Sequence, residues 1–249
     1  MYSRILIAGV DLPTYGVLIL LGVVLTNMLA FIVAIKRKIS FEKFLYMELI
    51  GGLSAFVGAK CWYALEHIPI SEITIDKIIE GGLSFYGAFA VGIIVIMLIC
   101  KTGRIDSRLY ATNFIFLVPF LHMIWKIGCF MAGCCYGIRY EGPFAVQFPE
   151  ESYGLSGVSL FPVQLLEAGL LGVLSIIFYY KGKKMELRNP IKSYVFAYGC
   201  IRFVVEFFRN HGTESVISRA HIVSVICILG AGGYIYYTRN SRKHGREET

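Results

Sequence analysis

The sequence predicts an all-α polytopic membrane protein, one integral membrane domain over residues 1–249 with about seven transmembrane helices, N-terminus outside and C-terminus cytoplasmic. Three observations carry this. Hydrophobic residues make up 56% of the chain and charged residues only 16%, against about 25% charged in soluble domains, and mean hydropathy is +0.64. Several apolar runs reach the roughly 20 residues needed to cross hydrocarbon. Basic residues fall in alternate loops, the pattern that sets orientation in a membrane.

The spans follow in order. The first, about 13–35, is followed rather than preceded by Lys36, Arg37 and Lys38; it is too long and too poorly cleavable for a signal peptide. The second covers about 44–65. The third, about 83–100, is short and opens on the glycines of "EGGLSFYGAFA". The fourth, about 109–127, runs into "KIGCFMAGCCYG". The fifth, about 161–180, has Pro162 near its first turn, where a missing N–H costs nothing. The sixth, about 193–209, carries charges, and the seventh covers about 219–238. The chain shows no convincing internal repeat, low-complexity tract or Pro/Ser-rich linker, so a single domain is expected.

Residues 36–43 hold four Lys/Arg, 101–108 three, 181–192 five and the tail from Arg239 four. The stretch 66–82 is acidic, with Glu66, Glu72, Asp76 and Glu80 against Lys77, and 138–160 carries Glu141, Glu150 and Glu151 against Arg139. The net charge of +7 is therefore a topology signal, with attraction to anionic lipid secondary; it needs no nucleic acid.

Seven cysteines are present. Cys61, Cys100, Cys200 and Cys227 lie inside spans, where cysteine serves as a small soft hydrophobe. Cys129, Cys134 and Cys135 lie at the outer end of the fourth span. No second Cys/His pair stands at zinc-finger spacing, so no metal is expected. A vicinal Cys134–Cys135 disulfide would be strained; a Cys129–Cys134 bridge stays open, beside the alternatives of small filler and nucleophile.

Polar side chains at membrane depth are costly unless partnered or hydrated. Glu48, Lys60, Lys126, Glu167, Arg202, Glu206 and Arg209 qualify. Glu48 and Lys60 read as a structural ion pair or snorkelling side chains. In "YGCIRFVVEFFRN", Arg202 and Glu206 share a helix face at i, i+4, and Arg209 falls near that face about two turns after Arg202. If Glu206 neutralises one arginine, the other can grip a phosphate with two parallel hydrogen bonds. Structural pairing is the alternative. The glycines around Ser84 and Tyr86 allow close approach of a ligand or another helix. Gln164 and Glu167 stand three apart on one face of the fifth span.

Five segments in order, "LPTYGVLILLG" (12–22), "GGLSFYGAFAVG" (81–92), "WKIGCFMAGCCYG" (125–137), "LFPVQLLEAG" (160–169) and "YGCIRFVVEFFRN" (198–210), resemble the bacterial prolipoprotein diacylglyceryl transferases. The resemblance implies a multi-pass enzyme of the bacterial cytoplasmic membrane with its site toward the outer face. Such an enzyme moves the diacylglyceryl group of phosphatidylglycerol to the lipobox cysteine of a preprolipoprotein and releases glycerol phosphate, without cofactor or metal. It places Tyr15, Gly81, Gly87, Gly137, Arg202 and Glu206 on functional positions. Added to the polar residues above, the expected catalytic set is Arg202, Glu206, Tyr86 and Lys126. The expected substrate-binding set is Tyr15, Gly81, Ser84, Gly87, Gly137, Gln164, Glu167 and Arg209. The chain departs from the family's central pattern Gly-Arg-x-Gly-Asn-Phe-x-Asn-x-Glu-x-x-Gly: Trp125, Lys126, Cys129, Ala132 and Cys134 replace its first glycine, its arginine, both asparagines and its glutamate. Tyr86 stands where the family often has histidine. A paralogue with another acceptor, or a transporter or assembly factor with no chemistry, are the alternative readings.

Overall fold

A computed structural model describes residues 4–7, 10–150, 155–210 and 218–247. Its elements are the strands β1 (Arg4–Ile7) and β2 (Val10–Pro13), the helices α1 (Thr14–Arg37), α2 (Phe41–His67), α3 (Ile75–Glu80), α4 (Phe85–Thr102), α5 (Ser107–Phe114) and α6 (Leu117–Ala132), the short strands β3 (Val146–Gln147) and β4 (Ser159–Leu160), and the helices α7 (Val163–Lys183), α8 (Pro190–Glu206) and α9 (Arg219–Glu247). Helix ends follow local chemistry. Ser40 accepts from the Lys43 N–H at the start of α2, Asp106 accepts from the Arg108 and Leu109 N–H groups at the start of α5, and Pro190 opens α8. Each satisfies, or does without, an orphan donor of a first turn.

Among the described residues four helices are long and apolar enough to cross a membrane: α1, α2, α7 and Arg219–Thr238 of α9. The predicted fourth span is broken instead into α5 and α6, bent by 44°; the pair makes a fifth crossing when taken together. Ser175 Oγ donates to the carbonyl of Phe116 at that bend, 2.8 Å away, so one backbone acceptor freed by the break is satisfied within the protein. The apolar stretch of α4, Gly87–Thr102, is shorter than a full crossing. The 17 residues of α8 match the length of the predicted sixth span but begin and end three residues earlier.

The chain forms two compact units, Ala30–Tyr110 and Met1–Leu29 with Ala111–Thr249. In the first, α2 packs along α4 through small residues. A Cβ on Gly58 would run into the Gly87 carbonyl and Val91, and a Cβ on Gly87 into the Gly58 carbonyl and Trp62. This is backbone-to-backbone approach of the kind apolar helices use in lipid. Lys60 does not pair with Glu48: its Nζ donates to the carbonyls of Ile79 (2.7 Å) and Gly81, holding the C-terminal end of α3, where a cation also meets the negative end of the helix dipole.

In the second unit α6 packs on α7, α7 on α8 and α8 on α9. A small polar cap links them at one end. Gly137 pairs antiparallel with Arg209, Arg139 with Leu160, and β3 with β4. The Ile138 N–H donates to the Phe208 carbonyl and the Asn210 N–H to the Tyr136 carbonyl. These bonds take the chain out of helical geometry after Glu206, so Arg209 is not on the face of α8, where helical spacing had put it.

Candidate functional site

The end of α6 is shaped by one glycine. Gly133, at φ +77°, caps the helix, and the Cys134 N–H returns to the Cys129 carbonyl at 3.1 Å, a Schellman closure. The next residue, Cys135, is also left-handed at φ +57°. Two reversals in three residues fold the chain back onto the last turn of α6. Gly137 then lies so tightly between strands that a Cβ would meet the carbonyls of Phe161 and Phe208. These neighbours are backbone of the same unit.

Beside this turn three helices converge their charges. Lys126 Nζ of α6 lies 2.9 Å from Glu167 Oε2 of α7, with side chains 12% and 3% exposed. The same carboxylate oxygen stands 3.8 Å from Arg202 NH1 of α8. Arg202 NH2 lies 2.7 Å from Glu206 Oε2. Glu206 Oε1 accepts from Ser218 Oγ at 2.7 Å, and Ser218 N–H donates to His221 Nδ1 at 3.1 Å. The result is a buried row of two cations and two anions, neutral in sum, ending in a serine and a histidine at the start of α9.

On α7, Gln164 Oε1 and Glu167 Oε1 are both buried without a hydrogen-bond partner among the described residues. Gln164 uses its Nε2 to donate to the Cys134 carbonyl, 2.8 Å away. Gln164 and Glu167 are one turn apart on α7, so the two free oxygens share a face. A buried acceptor left unpaired costs about 1–3 kcal/mol, and a ligand carrying hydroxyl donors would remove that cost.

Among the described residues the guanidinium of Arg209 faces no carboxylate within ion-pair distance. It lies close enough to Cys135 to act on it. The Cys135 thiol is held below its ordinary pKa, first by the thiols of Cys129 and Cys134 as hydrogen-bond partners, then by Arg209 and Lys126. Tyr15, at the start of α1, packs its ring on Gly128 of α6, where a Cβ would stand 3.1 Å from Tyr15 Cδ2.

Of the twelve residues expected from the sequence, the unit containing α6–α9 gathers Lys126, Gln164, Glu167, Arg202 and Glu206 in one connected row. It also places Tyr15 against α6 and Gly137 against Arg209. Gly81, Ser84, Tyr86 and Gly87 belong to the other unit. There Ser84 Oγ donates to Glu66 Oε2 (3.2 Å), while Trp62 Nε1 donates to Glu66 Oε1 (2.8 Å). Gly87 meets α2, and the side chain of Tyr86 lies outside the described residues. Sequence reasoning missed Ser218, His221, Trp62 and His122, whose ring packs against Tyr198 with centroids 5.2 Å apart. It also took Glu66 as a loop charge. Only Ser218 and His221 had a readable signal, two polar residues three apart at a helix start.

The family model described as "Prolipoprotein diacylglyceryl transferase" matches residues 4–237. The chain is 28% identical over 240 residues to the phosphatidylglycerol–prolipoprotein diacylglyceryl transferase of Clostridium tetani, covering 94% of this chain and 96% of that protein. It is 27% identical over 252 residues to phosphatidylglycerol–prolipoprotein diacylglyceryl transferase 2 of Clostridium perfringens, covering 98% and 96%. It is 29% identical over 240 residues to the protein of that name from Pasteurella multocida, covering 90% and 86%. A match over nearly the whole length, with charged positions that converge in space, places this chain in the prolipoprotein diacylglyceryl transferase family.

Proposed function

We propose that the protein transfers the diacylglyceryl group of phosphatidylglycerol to a cysteine thiol of a prolipoprotein and releases glycerol phosphate. The chain acts as a single integral membrane domain of the bacterial cytoplasmic membrane. It crosses the bilayer seven times, with α4, α8 and the bent α5–α6 pair counted as crossings, and its site faces outward. The alternation of basic and acidic loops supports that orientation. The observation that carries the function is the buried Lys126–Glu167–Arg202–Glu206 row with Arg209 beside it.

The charge balance suits the reaction. The row is neutral, so Arg209 supplies one net positive charge for the single negative charge of a phosphodiester. The acceptor thiolate attacks the glycerol carbon of the diacylglyceryl group. A C–S bond forms, the C–O bond to phosphate breaks, and the electron pair leaves on the phosphate oxygen. The departing glycerol phosphate thus gains a second negative charge. Arg202 and Lys126, fixed in place by Glu206 and Glu167, stabilise that charge where water is excluded. The free oxygens of Gln164 and Glu167 accept from the headgroup glycerol hydroxyls. Glu206 orients Arg202, and Tyr15 and Gly137 frame the lipid.

The test is incubation of the purified protein with phosphatidylglycerol and a lipobox peptide, followed by mass analysis of both. A peptide heavier by one diacylglyceryl group, matched by released glycerol phosphate, is the expected result. Phosphatidylglycerol consumed while the peptide stays unmodified would assign a different acceptor. Lipid and peptide both intact would reject the transferase reading.

A further inference from the structure

We propose that Cys129, Cys134 and Cys135 form a three-thiolate site for one soft cation, Zn(II) or Cu(I). Spacing along the chain gave no reason to expect a metal, because the three residues match no metal-binding pattern. The fold supplies what the spacing lacks. Their sulfur atoms all lie within 4.8 Å of one another. An ion bound at about 2.3 Å from each sulfur holds tetrahedral sulfurs about 3.8 Å apart, so each pair closes by no more than about 1 Å.

The backbone prepares this convergence. Gly133 returns the chain over the last turn of α6, bringing the Cys134 thiol to 3.7 Å from the Cys129 carbonyl. The left-handed conformation of Cys135 turns its thiol back toward the other two. A non-glycine residue in that region is strained and persists only where its surroundings over-determine it.

Three sulfur donors select soft cations over hard ones. Among the described residues no carboxylate belongs to the cluster. Arg209 and Lys126 lie within electrostatic range of Cys135. Gln164 supplies outer support by holding the Cys134 carbonyl. The burial is graded from Cys129, buried, through Cys134 to Cys135, exposed, so an ion has a way in. A disulfide accounts for less of this geometry: a Cys134–Cys135 bond is strained, and a Cys129–Cys134 bond leaves the third thiol idle.

The test titrates the reduced full-length protein, in detergent micelles, with Cd(II) alone as an optical probe, then with Zn(II) and with Cu(I) against competing chelators. One ion per chain is expected, with a thiolate-to-metal charge-transfer band. Of the seven free cysteines, Cys129, Cys134 and Cys135 should be shielded from alkylation. Each single Cys→Ser change should weaken binding by about tenfold or more, at least the loss seen when an outer-shell partner is removed, and the triple change should abolish the band. Cys129 is buried, so C129S carries a folding risk; C135S, at an exposed position, keeps the test valid, and Zn(II) should raise the Tm of the parent protein but not of C135S. Equal binding by the triple variant, shielding of other cysteines, or a Cys129–Cys134 disulfide in protein purified without oxygen would overturn the proposal. Displacement of Zn(II) by Cu(I), or its failure, decides which ion the site takes.

Discussion

Two ion pairs of equal length sit in the two units of this protein. Lys77 lies 2.9 Å from Glu72 with side chains 46% and 60% exposed, and Lys126 lies 2.9 Å from Glu167 with side chains 12% and 3% exposed. Distance does not separate them; surroundings do. The exposed pair is screened by water and held by flexible side chains, and such pairs contribute about 0–1 kcal/mol. The buried pair has given up hydration, so each charge depends on its partner, and removing one partner strands the other. The unit around α2 and α4 is joined by glycine contacts and carries the Lys77–Glu72 pair outside, whereas the unit around α6, α7 and α8 carries the Lys126–Glu167 pair inside. A structural core has no use for that cost, and a site for a charged headgroup does.

The largest expected effect comes from breaking the buried pair. Glu167→Ala should lose about 3–5 kcal/mol of stability, the usual consequence of an uncompensated buried charge, measured by denaturant unfolding in micelles. Adding Lys126→Met should recover much of it, and a double-mutant cycle would report the coupling; additive losses would show that the two residues act independently. Next is Arg209→Ala, with about a 100- to 1,000-fold drop in phosphatidylglycerol turnover, the range for losing one electrostatic stabiliser, and little change in unfolding. Arg209 is a better probe than Arg202, whose removal would leave Glu206 and Glu167 short of a partner. Full turnover by Arg209→Ala would remove it from the phosphate pocket.

In the other unit the sensitive feature is contact. Gly87→Ala should cost about 1–3 kcal/mol through overpacking against α2, because its new methyl meets the Gly58 carbonyl and Trp62; an unchanged Tm would mean the α2–α4 contact is looser than drawn. The smallest effect is Lys77→Ala, at about 0–1 kcal/mol and weaker still in high salt. A loss there as large as that of Glu167→Ala would erase the contrast between the two pairs.

Much of the site was legible in the sequence because membrane-depth charges are rare enough to stand out. Arg202, Glu206, Lys126 and Glu167 were marked by burial cost alone, and the structure brings them into one row. Gly87 carried a helix-packing signal, although its partner across the contact, Gly58, did not show. Arg209 was misplaced for a simple reason: helical periodicity continues on paper past Glu206, but pairing with Gly137 ends the helix there. Ser218 and His221 were missed because Ser218 reaches Glu206, with His221 behind it, only through the packing of α9 on α8.

The amino-acid order alone determined that the protein is helical and apolar, which loops are basic, and which few residues must find partners away from water. Those properties depend on composition and on periods of a few residues, which need no partner chain segment to be read. Tertiary structure alone decided which anion meets which cation, that Arg209 faces no carboxylate among the described residues, and that three cysteines separated by four and zero residues in sequence bring their sulfurs within 4.8 Å of one another. Such relations depend on how α6, α7 and α8 converge and on two left-handed residues after α6, and no local pattern encodes either.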